Sequence, residues 1–205
     1  MRTPASQSLA RPFHHGNLRQ ALLEAALLAT DIEGVSLRQL AGTIGVTAAA
    51  AYRHFASRED LLFEVAGIGF DRLTVYFQHA LPLDTVARDG KEARQRFCRL
   101  GAAYLRFADE QPALWRLMFG AQAEAYRSRP TQPGERSSYD YLPAALLGLH
   151  QTGVIPAPPS EQDALFAWSA IHGVATLRSG RVPGALDPTE DLAAAVAARV
   201  IKALQ

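Results

Sequence analysis

Cysteine occurs once in the 205 residues, at Cys98, so no disulfide can form within the chain, and a reducing cytosol suits it. Cys98 sits in an apolar helical stretch and reads as a small buried residue rather than a redox centre. Long hydrophobic runs are missing too. No stretch reaches the ~18 apolar residues of a membrane span, so none is expected. Pro4, Gln7, Arg11 and His14 interrupt the N-terminal stretch, so no secretory leader is expected and the expected location is cytoplasmic. Charge of one sign is equally scarce: 21 Lys and Arg face 20 Asp and Glu, a net charge of +1. The whole chain is therefore no basic coat for nucleic acid, and any DNA contact must be local. His172, His150 and Cys98 are residue types that catalysis uses. No nucleophile elbow, phosphate loop or metal-ligand spacing surrounds them, so neither an enzyme nor a metal or cofactor is implied.

What the chain has is alanine and leucine in periodic stretches punctuated by proline and glycine. β-branched runs are few, and there is no internal repeat. This pattern predicts an all-α protein with enough residues for one large or two small domains. Residues 1–15 read as a flexible arm that carries Arg2, Arg11, His14 and His15. Asn17 with Gln20 opens a first helix, expected to run to about Glu33 with Leu18, Ala21, Leu22, Ala25, Leu28 and Ala29 on its apolar face. Ser57 with Asp60 opens a long helix with a stripe of Leu61, Leu62, Val65, Ile68 and Leu73, ended by Pro82. Further helices are expected over 93–109, from Pro112 to Gly120, over 138–151, over 160–178 and from Asp187-Pro188 to the end, with a mobile loop over 126–138.

The stretch Ser36 to Phe55, SLRQLAGTIGVTAAAAYRHF, carries the most information. Ser36 with Gln39 is a capping box, so a helix should start at Leu37. Leu40 and Ile44 share a face, and Ala41 is small where a second helix must pass close. Gly45 can take the positive φ of a sharp turn, Val46 plugs the corner, and Thr47 caps the next helix. Ala51 and Phe55 should then face inward, leaving Thr47, Ala48, Tyr52, Arg53 and His54 toward the outside. Two short capped helices with this spacing form a helix-turn-helix, which lays its second helix in a DNA major groove.

The run GVTAAAAYRHFASREDLL, Gly45 to Leu62, resembles the DNA-binding head of the tetracycline-repressor (TetR) family of bacterial regulators. WSAIHG, Trp168 to Gly173, is similar to the Trp-His-Gly signature of one C-terminal domain type in that family, and QPALWRLMF, Gln111 to Phe119, to another segment of it. The resemblance implies three parts: the arm over 1–15, a helix-turn-helix DNA-binding domain over 16–62, and a helical regulatory and dimerisation domain over 63–205. It also implies a homodimer that represses a promoter through an inverted-repeat operator and is released by a small ligand. An activator with the same head is the alternative; a helical scaffold or enzyme is the remote one. In this family pattern Ser36 would offer its helix N-terminus to phosphate, and Thr47, Tyr52, His54 and Arg58 would contact phosphate or sugar. Arg53 and Arg38 would reach base edges, for example guanine O6 and N7. Many members carry a basic residue where this chain has Ala48, so the run Ala48 to Ala51 offers only methyl groups. Few direct base contacts are therefore expected, with DNA shape contributing to specificity.

For the dimer, Leu192, Val196, Val200 and Leu204 repeat every four residues along the last helix. For a small apolar or aromatic effector, Tyr104, Phe107, Trp115, Phe119, Trp168 and His172 supply large faces with a few polar tips. Trp168 and His172 also read as structural neighbours on one face. His172 would then be a satisfied buried histidine, and Gly173 would allow close helix approach.

Overall fold

A computed structural model of the chain describes residues 18–120, 123, 136–179 and 191–205. The arm, Asn17, the segment 126–135 and the Asp187-Pro188 start lie outside the described residues. The described chain is helical, and it divides into two compact units that meet between Val65 and Ala66.

The first unit holds α1 (Leu18–Leu27), α2 (Leu37–Thr43), α3 (Ala48–Tyr52) and the start of α4 (Arg58–Ala80). Its core is Leu22, Ala26, Leu37, Ala41, Ala51 and Phe55, with Leu61 and Leu62 from α4, all nearly inaccessible. Each large member stabilises the unit by about 1.5–3 kcal/mol. Local chemistry sets the boundaries. Ser36 and Gln39 close the capping box of α2 in both directions, and Gly45 turns the chain at φ +77. Thr47 Oγ1 accepts the Ala50 N–H at 3.2 Å to start α3. Ser57 Oγ accepts the Asp60 N–H at 3.0 Å, and Asp60 accepts the Ala56 N–H at 3.1 Å, to start α4. The first helix is shorter than its periodicity predicts. Asp31 takes the Gly34 N–H at 3.1 Å, a local turn that competes with helix. The chain leaves the helix after Leu27, and Leu28, expected inward, is 87 % exposed.

The second unit holds the rest of α4, α5 (Gly90–Glu110), α6 (Pro112–Phe119), a 3-10 turn (Ser138–Asp140), α7 (Tyr141–Gln151), α8 (Glu161–Ser179) and α9 (Leu192–Ala203). Helix α5 is the centre, packing against α7, α8 and α9. It buries Ala93, Phe97, Leu100, Tyr104 and Phe107, a repeat of four and three that keeps one face inward. It starts earlier than expected because the Asp89 carboxylate caps it through the Glu92 N–H at 2.8 Å. The turn before α5 is pinned by Arg96, which donates to Glu92 at 2.8 Å and to the Thr85 carbonyl at 2.7 Å. Gly69 lets α4 and α6 touch, since a Cβ there would lie 2.4 Å from Met118 Sδ. Gly173 does not have that role among the described residues: a Cβ there would meet none of their atoms within 4 Å, so the close approach expected at this position is not found among them. Among the described residues, no helix is long and apolar enough to cross a membrane.

Candidate nucleic-acid interface and ligand cavity

In the first unit, α3 is only five residues long, and its N-terminal cap and two buried alanines fix how it faces. Ala50 and Ala51 point into the core with Phe55, while Tyr52, Arg53 and His54 are exposed. The methyl surface anticipated over the whole alanine run is therefore confined to Ala48, which is half-buried, and Ala49, which is exposed. Arg53 follows α3 as its C-cap, still in right-handed helical geometry, so its side chain leaves from the end of the helix rather than its face. Arg38 is exposed in the first turn of α2.

Two of the expected phosphate-contacting residues already have internal roles. Ser36 Oγ accepts the Gln39 N–H at 3.2 Å and donates to Gln39 Oε1 at 2.9 Å, while its backbone N–H donates to the same oxygen at 3.1 Å. Arg58 Nε donates to the Val35 carbonyl at 2.9 Å and Nη1 donates to Glu59 at 3.3 Å. Arg58 thus ties the start of α4 to the residue before the α2 cap, with its side chain 35 % exposed. Arg19, which the sequence did not single out, sits over the Phe55 ring at 5.0 Å and pairs with Glu64. Nothing local marks Arg19, because its partners are 36 and 45 residues away (55 − 19 and 64 − 19).

In the second unit, a cavity of about 330 Å³ opens between α4, α5, α7, α8 and α9. Its floor is buried and apolar: Leu73, Phe77, Tyr104, Ala167 and Val200. Its mouth is marked by Tyr139, Pro143 and Leu165, which are exposed. Of the six residues expected around a ligand, Tyr104, Phe119 and Trp168 line this space. His172 stands behind them. Its Nδ1 is 2.7 Å from the Tyr104 hydroxyl, and its ring lies 4.9 Å from Trp168 and 5.2 Å from Trp115. Burial pushes the Tyr104 hydroxyl well above the ordinary tyrosine range, while Trp168 and Trp115 beside it act in the opposite direction. Among the described residues, the buried Trp115 indole N–H makes no hydrogen bond of ordinary geometry, although it lies beside the Tyr104 hydroxyl. Phe107 is fully buried against Tyr76, 5.3 Å between ring centres, and does not reach the cavity. Phe70, Phe77, Phe97 and Tyr139 line it and were not anticipated, because they join it from three separate elements.

Helix α9 turns Ala193, Ala197, Val200 and Ile201 into its own unit, and Val196 and Val200 line the cavity. Leu192 and Leu204 are half-buried. The larger exposed apolar surface is on α8, where Leu165 is 57 %, Phe166 48 % and Leu177 43 % exposed.

The residue types that catalysis uses are occupied otherwise. His150 Nδ1 donates to the Ile155 carbonyl at 3.3 Å and closes the turn after α7. Burial raises the Cys98 thiol above its usual range, which disfavours the thiolate. Among the described residues, no three His, Cys, Asp or Glu side chains are grouped to hold a metal.

Residues 22–65 match the family model for bacterial regulatory proteins of the tetR family, and residues 97–204 match the model for a tetracyclin repressor-like C-terminal domain. The chain is similar to the nucleoid occlusion factor SlmA of Marinobacter nauticus, 27 % identical over 170 residues that cover 80 % of this chain and 82 % of that protein. Among solved structures, a protein of unknown function from Rhodococcus sp. RHA1 is 32 % identical, with a TM-score of 0.68 over 95 % of this chain and 98 % of that one. The TetR family transcriptional regulator PfmR from Thermus thermophilus shares the fold at 22 % identity, with a TM-score of 0.58 over 91 % of this chain and 96 % of that one.

Proposed function

Because the chain belongs to the tetR family of bacterial regulatory proteins, we propose that it works as a homodimeric repressor that binds an inverted-repeat operator and is released by a small molecule in its second unit. The observation that carries the DNA-binding part is the division of α3 and its flank into two sides. Ala51 and Phe55 anchor the inner side, and Tyr52, Arg53 and His54 stand exposed together on the other. Arg53 and Arg38 are the base-reading candidates, because a guanidinium can donate twice to guanine. Thr47, Tyr52 and His54 position the head on phosphates, and Ala48 lets the backbone approach the groove closely. Ser36 and Arg58 contribute chiefly by holding α2 and α4 in register, since their polar groups are engaged within the head.

One such helix reads too few base pairs for a unique site. Two of them, related by a two-fold axis, would read half-sites about one DNA turn apart or a multiple of it. Helices α8 and α9 are proposed as the dimer surface. Phe166, Ala170, Gly173 and Leu177 follow one another at helical spacing on α8, the two large ones are exposed, and Leu192 and Leu204 on α9 add half-buried apolar surface. The Trp-His-Gly type is proposed for the second unit on the close packing of the His172 ring against Trp168, 4.9 Å between centres.

A gel-shift titration against the DNA upstream of the protein's own coding region, with competitor DNA and Arg53→Ala alongside, tests the reading. Selective retardation is expected, and the variant should weaken it by about 1–3 kcal/mol. A selective shift indifferent to Arg53 would refute the base-reading assignment, and no selective binding anywhere in the genome would refute the repressor.

A further inference from the structure

The cavity of the second unit states what kind of molecule it accepts. Among its described lining residues there is no Lys, Arg, His, Asp or Glu. An ionised ligand would enter without a partner, which is among the most unfavourable transfers in protein chemistry. Aromatic rings supply much of the wall: Phe70, Phe77, Phe97, Tyr104, Phe119 and Trp168 all face it. Such walls favour another aromatic ring through offset and edge contacts. A cavity of ~150 Å³ accepts one benzene, so about 330 Å³ accepts two fused or linked rings.

The polar anchor is Tyr104. Its hydroxyl is held 2.7 Å from His172 Nδ1, and either of the two can be the donor, depending on the imidazole tautomer. A ligand hydroxyl both donates and accepts, so it complements this pair in either state, whereas a pure acceptor complements only the state in which Tyr104 keeps its proton free. A phenolic hydroxyl ionises near pH 10, so at neutral pH such a ligand enters uncharged. Burial of Tyr104 shows that the site disfavours charge on its own phenol as well.

We propose that this cavity binds a neutral two-ring aromatic molecule bearing one hydroxyl, anchored on the Tyr104–His172 pair. The inference rests on reading the cavity as the effector site and adds the ligand's chemical class to it.

Calorimetric titration of the full chain, without DNA, against three matched probes tests it: 2-naphthol, naphthalene and 2-naphthoate. In the unaltered chain 2-naphthol should bind at least tenfold more tightly than naphthalene, and 2-naphthoate should bind most weakly at pH 7. Tyr104→Phe should abolish the advantage of 2-naphthol over naphthalene and leave naphthalene itself within about twofold. The three-probe ranking needs no variant to fold. Naphthoate binding as tightly as naphthol, equal naphthol and naphthalene, or a naphthol preference that survives Tyr104→Phe would each overturn the proposal. Fluorescence polarisation of a labelled operator separates the two readings. Naphthol that binds as described but leaves the DNA complex intact upholds the cavity chemistry and sinks ligand release. Naphthol that fails to bind, in a chain that still binds DNA, sinks the cavity chemistry alone.

Discussion

The two units of this chain separate folding from function to different degrees. In the first, the residues that fill the core and those proposed to touch DNA are different residues, although the α3 cap Thr47 serves both purposes: Phe55 and Ala51 are inside, Tyr52, Arg53 and His54 outside. In the second, the core and the proposed ligand site are built from the same side chains. Tyr104, Phe119 and Trp168 line the cavity, yet Phe119 also packs its ring, tilted or edge-on, against those of Tyr104, Trp168 and His172. A surface substitution in the head can remove function and leave stability within about 0.5 kcal/mol. In the second unit a substitution at the site must change both.

The sharpest way to break this comparison is Phe119→Ala. Its ring meets Phe70, Tyr104, Trp115, Trp168 and His172 with centroids 5.2–6.3 Å away. Truncation should destabilise the chain by about 3 kcal/mol or more and alter probe binding together. Arg53→Ala, measured in the same urea titration, should leave the midpoint where it was. A Phe119→Ala protein of unchanged stability would show that the cavity wall is not core.

A smaller effect is expected at the other unit's most local feature. Thr47 holds the N-terminus of α3 through a single hydrogen bond to Ala50 N–H. Thr47→Ala should cost about 1 kcal/mol, read as a lower thermal midpoint. Thr47→Ser, which keeps the oxygen, should restore most of it. If serine fails to rescue, the methyl group rather than the cap matters at this position.

The same contrast explains what could be read from the sequence. Helix boundaries in the head follow from contacts three or four residues apart: Ser36 with Gln39, Thr47 with Ala50, Ser57 with Asp60. Such signals sit within one window of sequence, and the helix-turn-helix, its glycine turn and its inward pair were all legible. The end of α1 was not, because the Asp31–Gly34 turn overrides an apolar periodicity that continues past Leu27. In the second unit the aromatic residues were legible as a set but not as a wall. The Tyr104–His172 contact spans 68 residues, and no local pattern says that Phe107, at helical spacing from Tyr104, turns to Tyr76 instead of the cavity. Helix α9 shows the same limit. A repeat of four is compatible with several adjacent faces, and packing against α5 and α8 chose the one through Ala193, Ala197, Val200 and Ile201.

The smallest predicted effect belongs to a feature of the second unit that behaves like the head. Arg88, Glu92 and Arg96 form a local cluster near the start of α5, four residues apart and away from the cavity. The Arg88 side chain, then its backbone N–H, then Arg96, hold the Glu92 carboxylate charged, and its pKa falls from 4.5 to about 2. A carboxylate whose pKa is lowered on folding binds fewer protons folded than unfolded. Its contribution is therefore complete above about pH 4.5 and is lost as pH falls toward 2. The gain is modest because Arg88 is 86 % exposed and its half of the cluster is screened by solvent. The difference in thermal midpoint between the unaltered chain and Glu92→Gln should be constant from pH 7 to about 5. It should narrow below that and be reduced by salt. A difference as large at pH 3 as at pH 7 would mean that Glu92 acts through its neutral hydrogen bonds to the turn, not through its charge. In either case probe binding in the cavity should not change, which makes this cluster the control against which the coupled residues of the wall are judged.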